Sequence, residues 1–256
     1  MNRIKHCLVL SAATLLLQCA LIPASTTQVQ AQDATAKKRS NVAFKSRKGE
    51  RAPKNAVGGG RRNNGMCESA VADSIEVKSQ TIDKTLVPLL PSSKLGLTAS
   101  SHPSFMVYVP ATSAKALEFT LEDEEGEGIY QAEVNIEKAP GIISFTLPKT
   151  EAALEKEKDY RFVVSMICQQ AGPKNPFVEG LVRRINLDSA LVNQLNKPQS
   201  LEQVVLYSQS GYWFEAIENL AALKRSQPND SEVAAAWENL LASVGLDGIA
   251  KAELQN

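Results

Sequence analysis

The sequence predicts a mainly β chain with helical additions: an antiparallel β-sandwich of about seven strands and immunoglobulin-like size, followed by a small C-terminal helical hairpin or three-helix unit. Three observations lead there. Between about residues 85 and 185, apolar residues recur with period two in short runs. Gly, Pro and Asp clusters separate those runs without intervening helical stripes, the pattern of an antiparallel sandwich. After Asn186 the apolar spacing lengthens to that of a helix.

Taken in order, residues 1–31 read as a secretory signal peptide. Arg3 and Lys5 precede an apolar run over 7–17 that is too short to span a bilayer comfortably, and Val29-Gln30-Ala31 offers a cleavage site. A rival reading is a lipoprotein signal, since Leu16-Leu17-Gln18-Cys19 has the spacing of a lipid-attachment box, although Gln18 is large and polar for its position. The expected destination is the periplasm or the extracellular space, with no transmembrane segment in the mature chain.

Residues 32–66 are expected to form a disordered, basic, Gly-rich linker, because Lys, Arg, Asn, Gly and Ser dominate and little apolar surface is available to offset ordering entropy. The formal net charge of zero hides an asymmetry. Residues 37–62 carry ten Lys/Arg against the single acid Glu50, whereas from Asn63 onward 16 basic residues face 26 acidic ones. Such an arm is either a plain tether or an adhesive for something anionic: a membrane surface, an acidic polysaccharide or the body of another copy. Nucleic acid is not an expected partner, given the export signal and the lack of interleaved aromatics.

Residues 67–187 are assigned to the sandwich. Its organising stretch is 95–110, Leu-Gly-Leu-Thr-Ala-Ser-Ser-His-Pro-Ser-Phe-Met-Val-Tyr-Val-Pro, in which Phe105, Val107 and Val109 alternate with Ser104, Met106 and Tyr108. Pro103 and Pro110 delimit that strand, since proline cannot donate to a ladder. Another strand is expected near 85–90. Others follow around Leu117, Phe119 and Leu121; Tyr130, Ala132, Val134 and Ile136; Ile143, Phe145 and Leu147; Tyr160, Phe162, Val164, Met166 and Cys168; and Phe177, Glu179, Leu181, Arg183 and Ile185. Asp123-Glu124-Glu125-Gly126-Glu127-Gly128 reads as a hairpin loop, and Ala139-Pro140-Gly141 and Ala171-Gly172-Pro173 as turns. Residues 151–158 suit one helical turn or a charged loop. Arg183-Arg184 ends a strand and reads as solvated edge charge.

Residues 188–256 are the helical region. Ser200-Leu201-Glu202-Gln203 has the form of a capping box, Gly211 permits a tight turn, and Trp213, Ala216, Ile217 and Leu220 line the next helix until Pro228. Asn229 with Glu232 starts a third, whose stripe of Val233, Ala236, Trp237, Leu240 and Leu241 runs to Gly245.

The fragment Tyr207-Ser-Gln-Ser-Gly211-Tyr-Trp-Phe-Glu215-Ala216-Ile217, with Pro228-Asn229 beyond it, resembles a single tetratricopeptide repeat. A second resemblance rests on Gly96-Leu97-Thr98, His102-Pro103, Tyr108-Val109-Pro110, Glu124-Glu125-Gly126, Pro140-Gly141-Ile142, Phe177-Val178-Glu179-Gly180 and residues 207–213. Together these fragments resemble a cyanobacterial family known as domain of unknown function number 928, over roughly residues 58–249. The resemblance implies an exported protein and supplies no activity, cofactor or catalytic residue.

The candidate chemistry is sparse. Past the signal peptide only Cys67 and Cys168 remain, and in an oxidising compartment they are expected to form a disulfide, the alternative being two buried free thiols. His102 is the one histidine left, a candidate polar site; it would act as a base or ligand, or hydrogen-bond the backbone before the strand. The acidic run 122–127 lacks the calcium-loop pattern. Tyr212, Trp213 and Phe214, about 100° apart around a helix, offer either an exposed interaction surface or a seam against the sandwich. No catalytic set, cofactor or metal site is expected. The leading expectation is an exported, non-enzymatic binding or assembly module of the cell envelope, with an unknown protein partner or anionic envelope component and weak self-association. The competing class is a hydrolase of an envelope polymer working through paired carboxylates that sequence cannot identify.

Overall fold

The computed structural model describes residues 42–49, 67, 85–168, 175–195 and 199–255. The signal peptide, linker residues 32–41 and 50–66, and the turn at 171–173 lie outside the described residues. No helix among the described residues is long and apolar enough to cross a membrane.

Among these residues eight strands form two sheets. Strands β1 (Val87–Pro88), β3 (Ser104–Val109) and β6 (Gly141–Thr146) make an antiparallel sheet in the order β1-β3-β6. The larger sheet has the order β2-β8-β7-β4-β5, from β2 (Leu95–Thr98), β8 (Phe177–Arg184), β7 (Asp159–Ile167), β4 (Ala116–Glu122) and β5 (Gly128–Asn135). It is mixed: β2 runs parallel to β8, while the other pairs are antiparallel. The stretch 95–110 therefore splits between sheets, with β2 in one, β3 in the other and a turn at 99–103 crossing the gap.

Strand β3 is bounded by the two prolines, as expected, but it does not alternate in burial: all six residues are buried. Phe105 packs on Phe119 and Phe162 of the larger sheet at centroid distances of 5.0 and 4.9 Å, and Phe145 of β6 stacks on Phe119 at 5.1 Å. The Ser104 hydroxyl donates to Glu218 on a helix, at 2.8 Å. Both faces of β3 are thus covered. Strands β4 and β7 keep the predicted alternation, with Leu117, Phe119, Leu121, Tyr160, Phe162, Val164 and Met166 pointing into the core. At the predicted β4–β5 loop, Asp123 Oδ1 accepts from the Glu125 and Glu127 N–H groups at 3.0 and 2.9 Å, and Gly126 has φ +85°. Residues 151–158 form a loop.

Arg183 and Arg184 are not solvated edge charges. Strand β8 lies between β2 and β7, so Arg183 is fully buried and its Nε donates to Asp159 Oδ1 at 2.5 Å. Arg184 donates to the carbonyls of Leu154 and Ala99 at 2.8 and 3.4 Å. The disulfide is formed, joining Cys67 to Cys168 just beyond β7.

The helices are α1 (Ser189–Val192), α2 (Leu201–Gln209), α3 (Trp213–Ser226) and α4 (Ser231–Ala242). Ser200 Oγ accepts from the Gln203 N–H at 3.4 Å, half of the expected capping box, while the Gln203 amide donates to the Leu195 carbonyl. Helix α4 is capped by Asp230 rather than Asn229, its Oδ1 accepting from Glu232 and Val233 N–H groups. Sheets and helices share one apolar cluster, in which Val204, Trp213, Ile217, Leu220, Trp237 and Leu240 join Leu89, Phe105 and Val107. Trp213 Nε1 ties the two parts by donating to the Leu89 carbonyl at 2.8 Å. Beyond α4, the chain returns to the small sheet: Ile142 N–H donates to the Glu253 carbonyl at 2.7 Å and Gln255 N–H to the Ile142 carbonyl at 2.8 Å, covering the outer edge of β6. The outer edge of β5 pairs with no strand among the described residues.

Candidate functional site

The densest polar constellation lies where helix α3 meets the turn between β2 and β3. Gly96 makes the meeting close, since a Cβ there would stand 2.5 Å from a ring carbon of Phe214. That approach carries the next helical residue, Glu215, onto the end of β2. Its Oε1 accepts from the Thr98 hydroxyl at 2.7 Å, the Ala99 N–H at 2.8 Å and the Ser100 N–H at 3.0 Å. Its Oε2 is buried without a hydrogen-bond partner, although the residue as a whole is half-buried. Burial pushes the Glu215 carboxyl above its ordinary pKa, and the bonds from Thr98, Ala99 and Ser100 offset this only in part. One turn on, Glu218 accepts from Ser104, whose oxygen also lies 2.9 Å from Thr146 Oγ1. Tyr207 of α2 has its phenol pKa raised, by burial first and then by the charge of Glu215.

His102 sits inside this turn. Its Nε2 is 3.1 Å from the Glu151 carbonyl, which can only accept, so Nε2 carries the proton. In the neutral ring Nδ1 is then an acceptor for the Ser101 hydroxyl at 2.9 Å. The His102 N–H donates to Ser100 Oγ at 3.2 Å. Both ring nitrogens and the flanking serines are engaged within and beside the 98–104 turn.

A second constellation differs from one expectation and decides between the two alternatives held for Tyr212, Trp213 and Phe214. Residues 42–49, part of the supposedly disordered linker, pack along the α2–α3 turn. Val42 is fully buried, Phe44 meets Trp213 edge-on at 5.0 Å, and Lys45 N–H donates to the Ser208 carbonyl at 3.0 Å. Phe44 N–H donates to Ser243 Oγ at 2.9 Å. Arg47 donates to Tyr212 Oη at 3.1 Å and Asp188 Oδ1 at 2.9 Å. Burial acts against its charge, but those two bonds outweigh it and raise the guanidinium pKa. Gly211, with φ +83°, opens the slot: a Cβ there would lie 3.1 Å from both the N and the Cβ of Arg47. Two apolar side chains and a cation are enough to seat a segment whose average composition predicts disorder.

Tyr212, Trp213 and Phe214 consequently form no exposed interaction surface. They are 0%, 0% and 2% exposed, because each radial direction meets a different cover. The Tyr212 hydroxyl donates to the Asn186 carbonyl at 2.8 Å and accepts from Asp188 N–H, Trp213 lies against Phe44 and Leu89, and Phe214 against Phe105 and Gly96.

On the outer face of the larger sheet Arg161 holds two carboxylates, donating from Nη1 to Glu122 at 2.6 Å and from Nη2 to Glu179 at 2.6 Å. Burial opposes its charge, and the bonds to Glu179 and Glu122 outweigh it to raise the pKa. Among the described residues, no group of three or more His, Cys, Asp or Glu could hold a metal ion.

Glu215, Arg161 and the 42–49 contacts were missed by sequence reasoning. A first-turn glutamate beside Trp213 and Phe214 carried one usable signal, an acid flanked by residues that must be buried.

A family model described as Domain of Unknown Function (DUF928) matches residues 57–254. None of the curated proteins matches the chain. Among solved structures, the chain is similar to the fn3 domain of human collagen alpha-1(XX) chain, with 15% identity and a TM-score of 0.25 over 46% of this chain and 93% of that one.

Proposed function

Since the chain belongs to the DUF928 family, which carries no activity in its description, we propose from its own geometry that it is an exported, non-enzymatic binding or assembly module of the cell envelope. In this reading the two sheets are a β-sandwich of immunoglobulin-like size, and α2 with α3 is a TPR-like hairpin carried on it. The observation that carries the reading is the seating of an irregular stretch, residues 42–49, on the α2–α3 turn. A helical hairpin that grips a separate chain segment through one backbone bond, an aromatic contact and an ion pair works as a receptor for such segments. The Cys67–Cys168 disulfide supports export, because such bonds persist in oxidising compartments.

The hydrolase alternative needs one carboxyl that gives up a proton and a second facing substrate. Glu122 and Glu179 are both engaged by one guanidinium, that of Arg161. Glu215 is engaged by the turn it supports. The test is to incubate the purified mature chain with isolated envelope polymers and measure both retention and new chain ends. Saturable retention without cleavage is the expected result. Cleavage that disappears in Glu179→Gln or Glu215→Gln would overturn the module reading in favour of the hydrolase.

A further inference from the structure

We infer that residues 42–49 are a detachable docking segment, and that the groove over Gly211 receives the same segment from a second copy of this chain. The inference rests on the assembly reading above and names the partner.

The grip is of ligand kind. The segment adds no strand to either sheet, and its hydrogen bonds and ring contact are made to the helical region and to Asp188: Ser208 and Tyr212 around the α2–α3 turn, Trp213 at the start of α3, and Ser243 at the end of α4. Of its side chains only Val42 is wholly buried. Phe44 and Arg47 are half-buried, and Ala43, Lys45, Ser46 and Lys48 face solvent. Opening would uncover Val42 and Phe44 at the edge of the shared apolar cluster, while the ring pairs between the sheets keep their partners.

The groove is also selective. Glycine at 211 lets the Arg47 backbone pass close above the turn. Trp213 takes an aromatic ring at right angles to its own, and Asp188 with Tyr212 Oη receives a guanidinium that also lies 5.7 Å from the Tyr212 ring centroid. These features together fit a strand-free stretch with an apolar residue, an aromatic two positions on and an arginine three beyond that. Val42, Phe44 and Arg47 have that spacing, and every copy of the chain presents it. Nothing in the contacts requires that the segment and the groove belong to one molecule. The stretch 50–66 joins the segment to Cys67, which the disulfide pins beyond β7; fully extended it spans about 60 Å, enough to reach a neighbour. Mutual exchange gives a closed pair, and one-way exchange an open chain of copies.

Intramolecular seating competes with an effective concentration on the order of 1 mM for a tether of this kind. Exchange is therefore read as a concentration dependence. Mature chains with one tag would carry a photoreactive residue at exposed Lys45, and chains with a second tag would be otherwise wild type. After mixing and irradiation, adducts joining the two tags are expected, mapping to the α2–α3 turn. With the photoreactive chain in trace amount, they should approach about half of all adducts near 1 mM partner chain and fall about fivefold, to roughly a tenth of all adducts, at a tenth of that concentration. Asp188→Lys in the acceptor should lower them several-fold, and Arg47→Glu in the donor should restore them in part. Adducts that stay within one chain at every concentration would overturn the inference, as would intermolecular adducts that map elsewhere or whose yield Asp188→Lys leaves unchanged. Adducts to a different co-purifying protein would give the groove to that partner and equally overturn exchange. Loss of exchange with envelope retention intact would sink this inference alone, whereas loss of retention with cleavage would sink the reading beneath it.

Discussion

Where the two sheets meet, the contact is a set of phenylalanine rings: Phe105, Phe119, Phe145 and Phe162 touch one another across the gap. Where the helices meet the sheets, Phe214 and Trp213 are joined by Glu215 and Glu218, whose carboxylates reach over to hydroxyls and N–H groups of the 98–104 turn. The first junction is held by packing that neither pH nor salt alters strongly. The second contains a buried ionisable group and, on its outer side, a partly exposed ion pair. Two junctions of one core thus respond to different variables, and substitutions can separate them.

The largest effect belongs to the ring cluster. Phe119→Ala removes a fully buried ring with neighbours from both sheets, and about 4 kcal/mol of stability should go with it, read from the urea midpoint. A loss below about 1 kcal/mol would mean that the two sheets do not share the core described. Arg183→Ala comes next, at about 3 kcal/mol, since it takes the guanidinium from the buried Asp159 carboxylate. Replacing the pair together by Arg183→Met and Asp159→Leu should recover most of that loss, which a single-site role for Arg183 would not allow.

The helix junction should reveal itself through pH. The Glu215 carboxyl has its folded-state pKa raised by burial. Its contribution to stability is therefore complete below the unfolded value near 4.3 and is lost as pH rises through the folded value. Wild-type melting temperature should decline over that window, and Glu215→Gln should remove the decline. Equal pH profiles for the two proteins would show that the carboxyl titrates normally and that the seam is as indifferent as the rings. The smallest change is Arg47→Ala, under about 1 kcal/mol, because the ion pair with Asp188 is partly solvated. Its effect should shrink further at high salt.

Local periodicity was a good guide wherever the partner surface covers one face only. Strands β4 and β7, the hairpin loop at Asp123, and helices α2 to α4 all follow it. It failed where burial depends on distant elements. Leu95–Thr98, at four residues, is too short for the alternation of its two leucines with Gly96 and Thr98 to mark a strand by itself, and it pairs in parallel with β8. Arg183 looks like an edge residue until β2 covers β8 and Asp159 arrives from β7. Within the site, His102 and the serines were visible as a polar turn. Glu215 was not, since a buried carboxylate and a solvated one have the same letter, and only the close pass over Gly96 distinguishes them. Composition misled for 42–49 because an average over a basic stretch conceals Val42 and Phe44 placed two residues apart.

The return of residues 253–255 to Ile142 bears on how the protein behaves in the hand. A strand rim left unpaired is a template for aggregation, and here three residues decide whether the rim of β6 is closed. Trimming them, or displacing them with a purification handle, should turn a well-behaved sample into one that precipitates on concentration. Handles would then sit better at the opposite terminus, and an insoluble preparation of a shortened chain would say more about that rim than about the fold.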